Sequence, residues 1–312
     1  MSHRVRQQMM RKIIWKVTET EKEEREKEVT LEEMKKMTKK MKKGKATGID
    51  GIPAEFYQKF EWVTEWLHEL YGTMIERGEM TETMKTSIVK IMFKKKDKKR
   101  IENYRPISLL TADYKILAKI LTERLKSVLT KVIGAEQQGF IPGGDITGNL
   151  LLVKEILQHC EEEELEGFMI MMDFMKAYDR VDRETMMQTL KAMNMGEKYR
   201  EMVQTLYEGS RASVVVNGEM GEIFRTEGGV RQGCPLSPLL FIVVLELMAI
   251  ELRQSGEIER DQDEEDRRGG TGVSSNISSN ISISSSISIS TNININISTS
   301  IRGKTGGGGC PR

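Results

Sequence analysis

The chain has 312 residues, a net charge of +1 and 30% charged residues. That length allows one or two domains, and the balanced charge gives no global basic excess that would point to nucleic acid. Three distant cysteines (Cys160, Cys234, Cys310) exclude a disulfide framework and a zinc ligand set, which fits a reducing compartment, nuclear or cytoplasmic rather than secreted. No segment reads as a membrane span or a signal peptide. The 21 methionines fill many apolar positions with a flexible side chain, which implies a plastic core.

Residues 1–29 are charged, lack an apolar stripe, and read as a frayed helix or disorder. Thr30 with Glu33 forms a capping-box pattern, and Leu31, Met34, Met37 and Met41 follow at helical spacing until Gly44. Thr47–Gly51 is a turn. Pro53 opens the next helix, which turns Phe56, Phe60, Val63, Leu67, Leu70 and Met74 inward and ends near Gly78. Residues 86–93 read as a short strand. The block Lys94–Arg100 is densely basic, either a solvated loop or a phosphate-contacting one. A long amphipathic helix covers about 113–132, a Gly/Pro loop 137–144, and a further helix 146–163.

The run Phe168–Asp173 is apolar and ends in a carboxylate, the pattern of a buried strand. A carboxylate there must be hydrogen-bonded, paired or bound to a cation. Asp182 caps a helix that runs to Met193. Asn217-Gly218 marks a type I′ hairpin within 213–225, expected in one sheet with 168–174. Ser237 caps, and Pro238 starts, a largely apolar helix to Gln254. Beyond Gly256 the chain turns to charge and then to Ile alternating with Ser, Asn and Thr, which reads as a disordered tail. His3, His68 and His159 are scattered and carry no catalytic pattern.

In order, residues 43–56 (KGKATGIDGIPAEF), 103–110 (NYRPISLL), 114–118 (YKILA), 138–143 (QGFIPG), 173–179 (DFMKAYD) and 231–241 (RQGCPLSPLLF) resemble the reverse transcriptase domain of LINE-type non-LTR retrotransposons. Ile49 stands where proline is usual, and Gly144 where arginine is usual. The resemblance runs from about Val29 to Gln254.

It implies an α+β fold: fingers-like elements interleaved with palm elements over 30–165, a partial palm over 166–255, a charged segment over 1–29, and a disordered tail over 256–312. It implies RNA-templated DNA synthesis with Mg²⁺, on an RNA template and DNA primer, from deoxynucleoside triphosphates. Asp173 would be the catalytic metal ligand, with the Phe174 carbonyl as a further metal contact. Tyr178 would be the ring that crowds a 2′-hydroxyl. Gln232 and Gly233 would lie beside the incoming nucleotide, and Arg105 would clamp its triphosphate. Asp179 reads as a salt-bridge or capping residue.

The family's second carboxylate motif, an aromatic residue followed after one position by two aspartates, is not found in the sequence. The acidic run Asp261–Asp266 lacks flanking apolar strands. The expectation is therefore a polymerase domain truncated before that motif and the thumb, and inactive as given. The alternative is a non-catalytic nucleic-acid-binding remnant.

Overall fold

The computed structural model describes residues 9–13, 15–134, 137–164, 167–254 and 293–301. The fold is mixed α and β. Residues 9–13 and 15–29 of the N-terminal segment are docked rather than frayed, contrary to expectation; residues 1–8 lie outside the described residues. Met9, Ile13 and Val17 are buried. Val17 N–H donates to the Met193 carbonyl at 2.9 Å. Helix α1 (Glu19–Glu26) carries its own capping box from Thr18 and Glu21. Its Arg25 donates to the Arg124 carbonyl at 3.1 Å. Three apolar residues and a few long-range polar bonds hold this segment down, too sparse a pattern to read as an amphipathic stripe.

Helix α2 (Leu31–Lys39) starts with the expected Thr30–Glu33 box. The helix expected from Pro53 is split: α3 (Ala54–Lys59) ends at Phe60, whose ψ of 88° breaks the helix, and α4 (Glu61–Arg77) follows, ending at left-handed Gly78. The break lets α3 face α2, where Gln58 Nε2 donates to the Thr38 and Met41 carbonyls. Meanwhile α4 buries Val63, Leu67, Tyr71 and Met74, leaving Phe60 partly exposed.

The short α5 (Glu82–Lys85) leads into β1 (Thr86–Phe93), then a 3-10 turn (Ile101–Asn103) and β2 (Tyr104–Leu109). Helix α6 (Ala112–Val132) is the central helix, with Tyr114, Leu117, Leu121, Leu125 and Leu129 fully buried. Helix α7 (Ile146–Glu162) precedes β3 (Gly167–Phe174). A 3-10 turn (Ala177–Arg180) then leads to α8 (Arg183–Ala192), capped by Asp182 as expected, and to α9 (Glu197–Thr205), to which the sequence reading had assigned no element.

The hairpin β4 (Arg211–Val216) and β5 (Glu219–Arg225) turns on Asn217 and Gly218, both at positive φ, as a type I′ turn requires. Helix α10 (Ser237–Gln254) begins at Ser237 itself.

The four-stranded sheet has the order β2-β1-β4-β5, with β1 and β4 parallel. The hairpin therefore does not share a sheet with β3, which corrects the expectation. It is fixed to β1 instead: Ser87 Oγ donates to the Arg211 carbonyl at 3.1 Å, and Arg211 pairs with Glu82 at 2.6 Å. Strand β3 pairs antiparallel with β6 (Ile293–Ile301). That stretch falls within the expected disordered tail, 256–312. Alternating isoleucine is a strand pattern, and β3 has an edge free to pair. The rest of the tail, 255–292 and 302–312, lies outside the described residues.

Methionines such as Met34, Met84, Met186 and Met202 do pack the core. No helix among the described residues is long and apolar enough to cross a membrane.

Candidate active site

The site is assembled where the turn after β3 meets the loop before α10. Asp173 is the penultimate residue of β3 and is exposed. Its carboxylate makes no hydrogen bond or ion pair among the described residues. The described residues of the next loop therefore do not satisfy it. The next residue, Phe174, sets its ring edge-on to Phe241 of α10, with centroids 6.1 Å apart. Tyr178, in the 3-10 turn, also packs on Phe241, with ring centroids 5.5 Å apart. Burial pushes the Tyr178 phenol above its ordinary pKa. Phe241 thus gathers both aromatic residues that the sequence singled out.

Backbone bonds lock the turn to the loop. Val230 N–H donates to the Tyr178 carbonyl at 2.8 Å, and Gly229 N–H to the Val181 carbonyl at 2.9 Å. Gly229 has φ +72°, and a Cβ there would lie 2.8 Å from the Tyr178 carbonyl oxygen, so only glycine fits. Gln232 Nε2 donates to Asp179 Oδ1 at 3.2 Å. Asp179 accordingly serves this glutamine rather than a salt bridge or a cap.

Gly233 was expected to permit close approach of a ligand. Its close neighbour is instead the chain itself: a Cβ would lie 2.4 Å from the Ser108 carbonyl oxygen of β2. Arg105 lies on the same strand, three residues before Ser108. Its guanidinium is exposed and unpaired among the described residues. No hydrogen bond joins it to Asp173 or Gln232 among those residues.

Two arginines hold this framework, and neither was singled out from the sequence. Buried Arg231 donates to the Met84 and Lys85 carbonyls at 3.1 and 2.8 Å and lies over the Tyr114 ring at 5.0 Å. Half-buried Arg183 donates to the Gly229 and Tyr207 carbonyls at 3.0 and 3.3 Å and lies over the Tyr207 ring at 5.2 Å. Desolvation lowers the Arg183 pKa from its ordinary value, yet a guanidinium stays charged. Arg231 stood inside a recognised motif, but nothing in its spacing reveals that its partners are carbonyls some 146 positions away.

A two-metal centre needs several convergent oxygen ligands. Among the described residues no three His, Cys, Asp or Glu side chains gather to hold a metal. Asp173 alone does not make such a site, so the described residues do not by themselves fit the Mg²⁺ pair that the resemblance implied.

Residues 93–260 match the family model for reverse transcriptase (RNA-dependent DNA polymerase). The chain is 34% identical over 251 residues to an uncharacterized 149 kDa protein of transposon TX1 from Xenopus laevis, which covers 79% of the chain and 19% of that protein. It is 32% identical to a retrovirus-related Pol polyprotein from a type-2 retrotransposable element of Drosophila melanogaster, over 47% of the chain and 14% of that protein. It is 26% identical to the RNA-directed DNA polymerase from mobile element jockey of Drosophila funebris, over 69% of the chain and 24% of that protein. The chain thus spans a quarter or less of each of these relatives. With more than half of its length matched by the family model, the chain belongs to the reverse transcriptase family, in the branch carried by non-LTR retrotransposons.

Proposed function

We propose that this chain is the part of an RNA-directed DNA polymerase that holds the template-primer and the incoming deoxynucleoside triphosphate. We further propose that its 312 residues do not by themselves complete the catalytic centre. The observation that carries the first statement is the junction of the 177–180 turn with the 229–233 loop. There Phe174, which follows the exposed Asp173 in β3, and Tyr178 both pack on Phe241, and Gln232 bonds Asp179, next to Tyr178. In this reading Gln232 meets the nucleotide, Tyr178 crowds a 2′-hydroxyl, and the free guanidinium of Arg105 binds the triphosphate, for which its planar donors are suited. In the same reading Asp173 is the carboxylate that would bind a divalent cation. The second rests on the lack of a paired-aspartate motif in the 312 residues, and on the lack of three gathered His, Cys, Asp or Glu side chains among the described residues.

The test is binding of an RNA template–DNA primer by the full chain, with and without the next complementary deoxynucleoside triphosphate, followed by primer extension. Complementary nucleotide should tighten the complex and mismatched nucleotide should not. Gln232→Ala and Arg105→Ala should each weaken that response. Extension should be absent. Binding that ignores complementarity would leave only a non-catalytic nucleic-acid binder. Extension by the unmodified chain but not by Asp173→Ala would overturn the proposed incompleteness.

A further inference from the structure

Arg183 is the first residue of α8, two positions after Val181. It belongs to the chain segment that carries Tyr178, yet every hydrogen bond its guanidinium makes among the described residues reaches elsewhere. Its Nε donates to the Gly229 carbonyl at 3.0 Å, Nη2 to the Gly228 carbonyl at 3.3 Å, and Nη1 to the Tyr207 carbonyl at 3.3 Å. Its plane lies over the Tyr207 ring. The Tyr207 hydroxyl in turn meets Ser237 Oγ, at the start of α10, at 3.3 Å. Among the described residues it is the only side chain bonded to the Gly228 and Gly229 carbonyls. The loop so fastened returns two N–H bonds to the turn, one of them to the carbonyl of Tyr178. The Tyr178 ring rests on Phe241, one turn along α10 from Ser237. Arg183 is therefore bonded to both bodies that fix the ring, the 228–230 loop directly and the head of α10 through Tyr207. A planar fork directs bonds from three separate nitrogens at once, whereas a lysine's donors all leave one nitrogen.

We propose that Arg183 is a positioning residue for sugar discrimination: by fastening the 228–230 loop it holds Tyr178 where the ring excludes a 2′-hydroxyl. This rests on the polymerase reading of the site. Arg183 touches neither nucleotide nor metal. Its loss frees the loop by removing two carbonyl bonds and lets the Tyr178 backbone drift with it. Discrimination by clash is sensitive to such drift, because a ring displaced by about an ångström no longer overlaps a single oxygen.

The experiment measures complementary-nucleotide binding to the full chain on an RNA template–DNA primer, comparing a deoxynucleoside with the matching ribonucleoside triphosphate. The readout is the ratio of the two affinities. Arg183→Gln should lower that preference by ~10-fold or more while changing deoxynucleotide affinity much less, the signature of altered selectivity rather than lost binding. Arg183→Lys, which keeps the charge but not the fork, should fall between, and it decides the question if the glutamine variant does not fold. Equal losses for both nucleotides, or an unchanged ratio in the lysine variant, would overturn the proposal. A Tyr178→Ala control separates the two readings. If the unmodified chain has no preference, or Tyr178→Ala keeps it, the polymerase reading of Tyr178 fails and the role of Arg183 falls with it. If Tyr178→Ala loses the preference and the Arg183 variants keep it, only the present proposal fails.

Discussion

The main-chain N–H of Ser108 donates to the carbonyl of Gln232 across 2.7 Å. That bond joins β2, the strand of Arg105, to the loop that precedes α10. It forms because Gly233 lets the two backbones touch, at a φ of +112°. Gly233→Ala should therefore destabilise the protein by about 2 kcal/mol or more, adding a backbone clash to the strain of positive φ. Gly143→Ala is the control. It also has positive φ but open space around its Cβ position, so it should cost only about 1 kcal/mol. Urea denaturation of both variants checks this. Equal costs would mean that the approach to Ser108 is not what Gly233 is for.

The docking of α1 and α2 depends on Arg124. Its guanidinium forks onto Glu33 at 3.1 and 2.7 Å and also donates to the Arg25, Lys27 and Glu28 carbonyls. Arg124→Ala should cost about 2–3 kcal/mol, less than a fully buried pair because a third of Glu33 remains exposed. Burial pushes the Glu33 carboxyl up, but Arg124 and the Thr30 N–H hold it below its ordinary value. A depressed carboxyl contributes stability above its unfolded pKa and loses it as pH falls through the folded one. The gap between wild type and Arg124→Ala should narrow on acidification and then level off at the share of the three carbonyl bonds. Urea melts at pH 7 and at pH 3 measure it, and a gap that does not narrow would remove the Glu33 contribution.

The elements whose evidence is local were legible in the sequence. The Thr30–Glu33 box, the Asp182 cap, the Asn217-Gly218 turn and the β1 strand all stand where short-range chemistry puts them. What was not legible is non-local. Nothing in the 213–225 pattern says that it pairs with β1 rather than β3. Nothing in residues 9–29 says that Met9, Ile13 and Val17 are buried or that Arg124 is their segment's partner. At the site the motif residues were legible as types at a spacing. The role of Gly233 and the bracing by Arg183 and Arg231 depend on carbonyls, and that of Asp179 on the Gln232 amide, all brought near only by folding.

Asp113 makes a prediction of opposite sign to Glu33. It sits in the first turn of α6, where its Oδ1 accepts the Tyr114 N–H at 2.7 Å. Burial nevertheless raises its pKa, and Asp50, itself raised by burial, adds repulsion. A carboxyl whose folded pKa is raised binds more protons in the native state between its unfolded and folded values. Its contribution is therefore favourable below the unfolded pKa and is lost as pH rises through the folded one. Asp113→Asn should be more stable relative to wild type at pH 7 than at pH 4. Thermal melts at the two pH values report this, and a relative stability that is the same at both would show that Asp113 does not titrate with folding.

The connection between β1 and β2 is an ordered platform for six cations rather than a loose basic loop. Asp97 organises it: its Oδ1 accepts the Lys99 N–H at 2.9 Å, and its carbonyl accepts Asn103 Nδ2 at 2.7 Å. The Phe93 and Tyr104 rings meet edge-on at its base, the Tyr104 hydroxyl donates to the Lys98 carbonyl at 2.8 Å, and Lys98 lies over Phe93. Lys94 to Arg100 are all exposed, and none of the six cationic side chains has an ion-pair partner among the described residues. Free cations at a fixed tip favour phosphate over simple solvation. Each phosphate contact contributes roughly 0.7–0.9 to the slope of log affinity against log salt. Replacing Lys94, Lys95 and Lys96 by alanine should therefore reduce that slope for RNA binding by about 2, with little change in thermal stability, because these side chains pack against nothing that the core needs. Asp97→Ala removes the organiser and leaves the positive charges. It should retain most of the slope while lowering affinity at fixed salt, since the tip must then be ordered on binding. A triple variant with an unchanged slope would show that the nucleic acid lies elsewhere and that these lysines only solvate the hairpin.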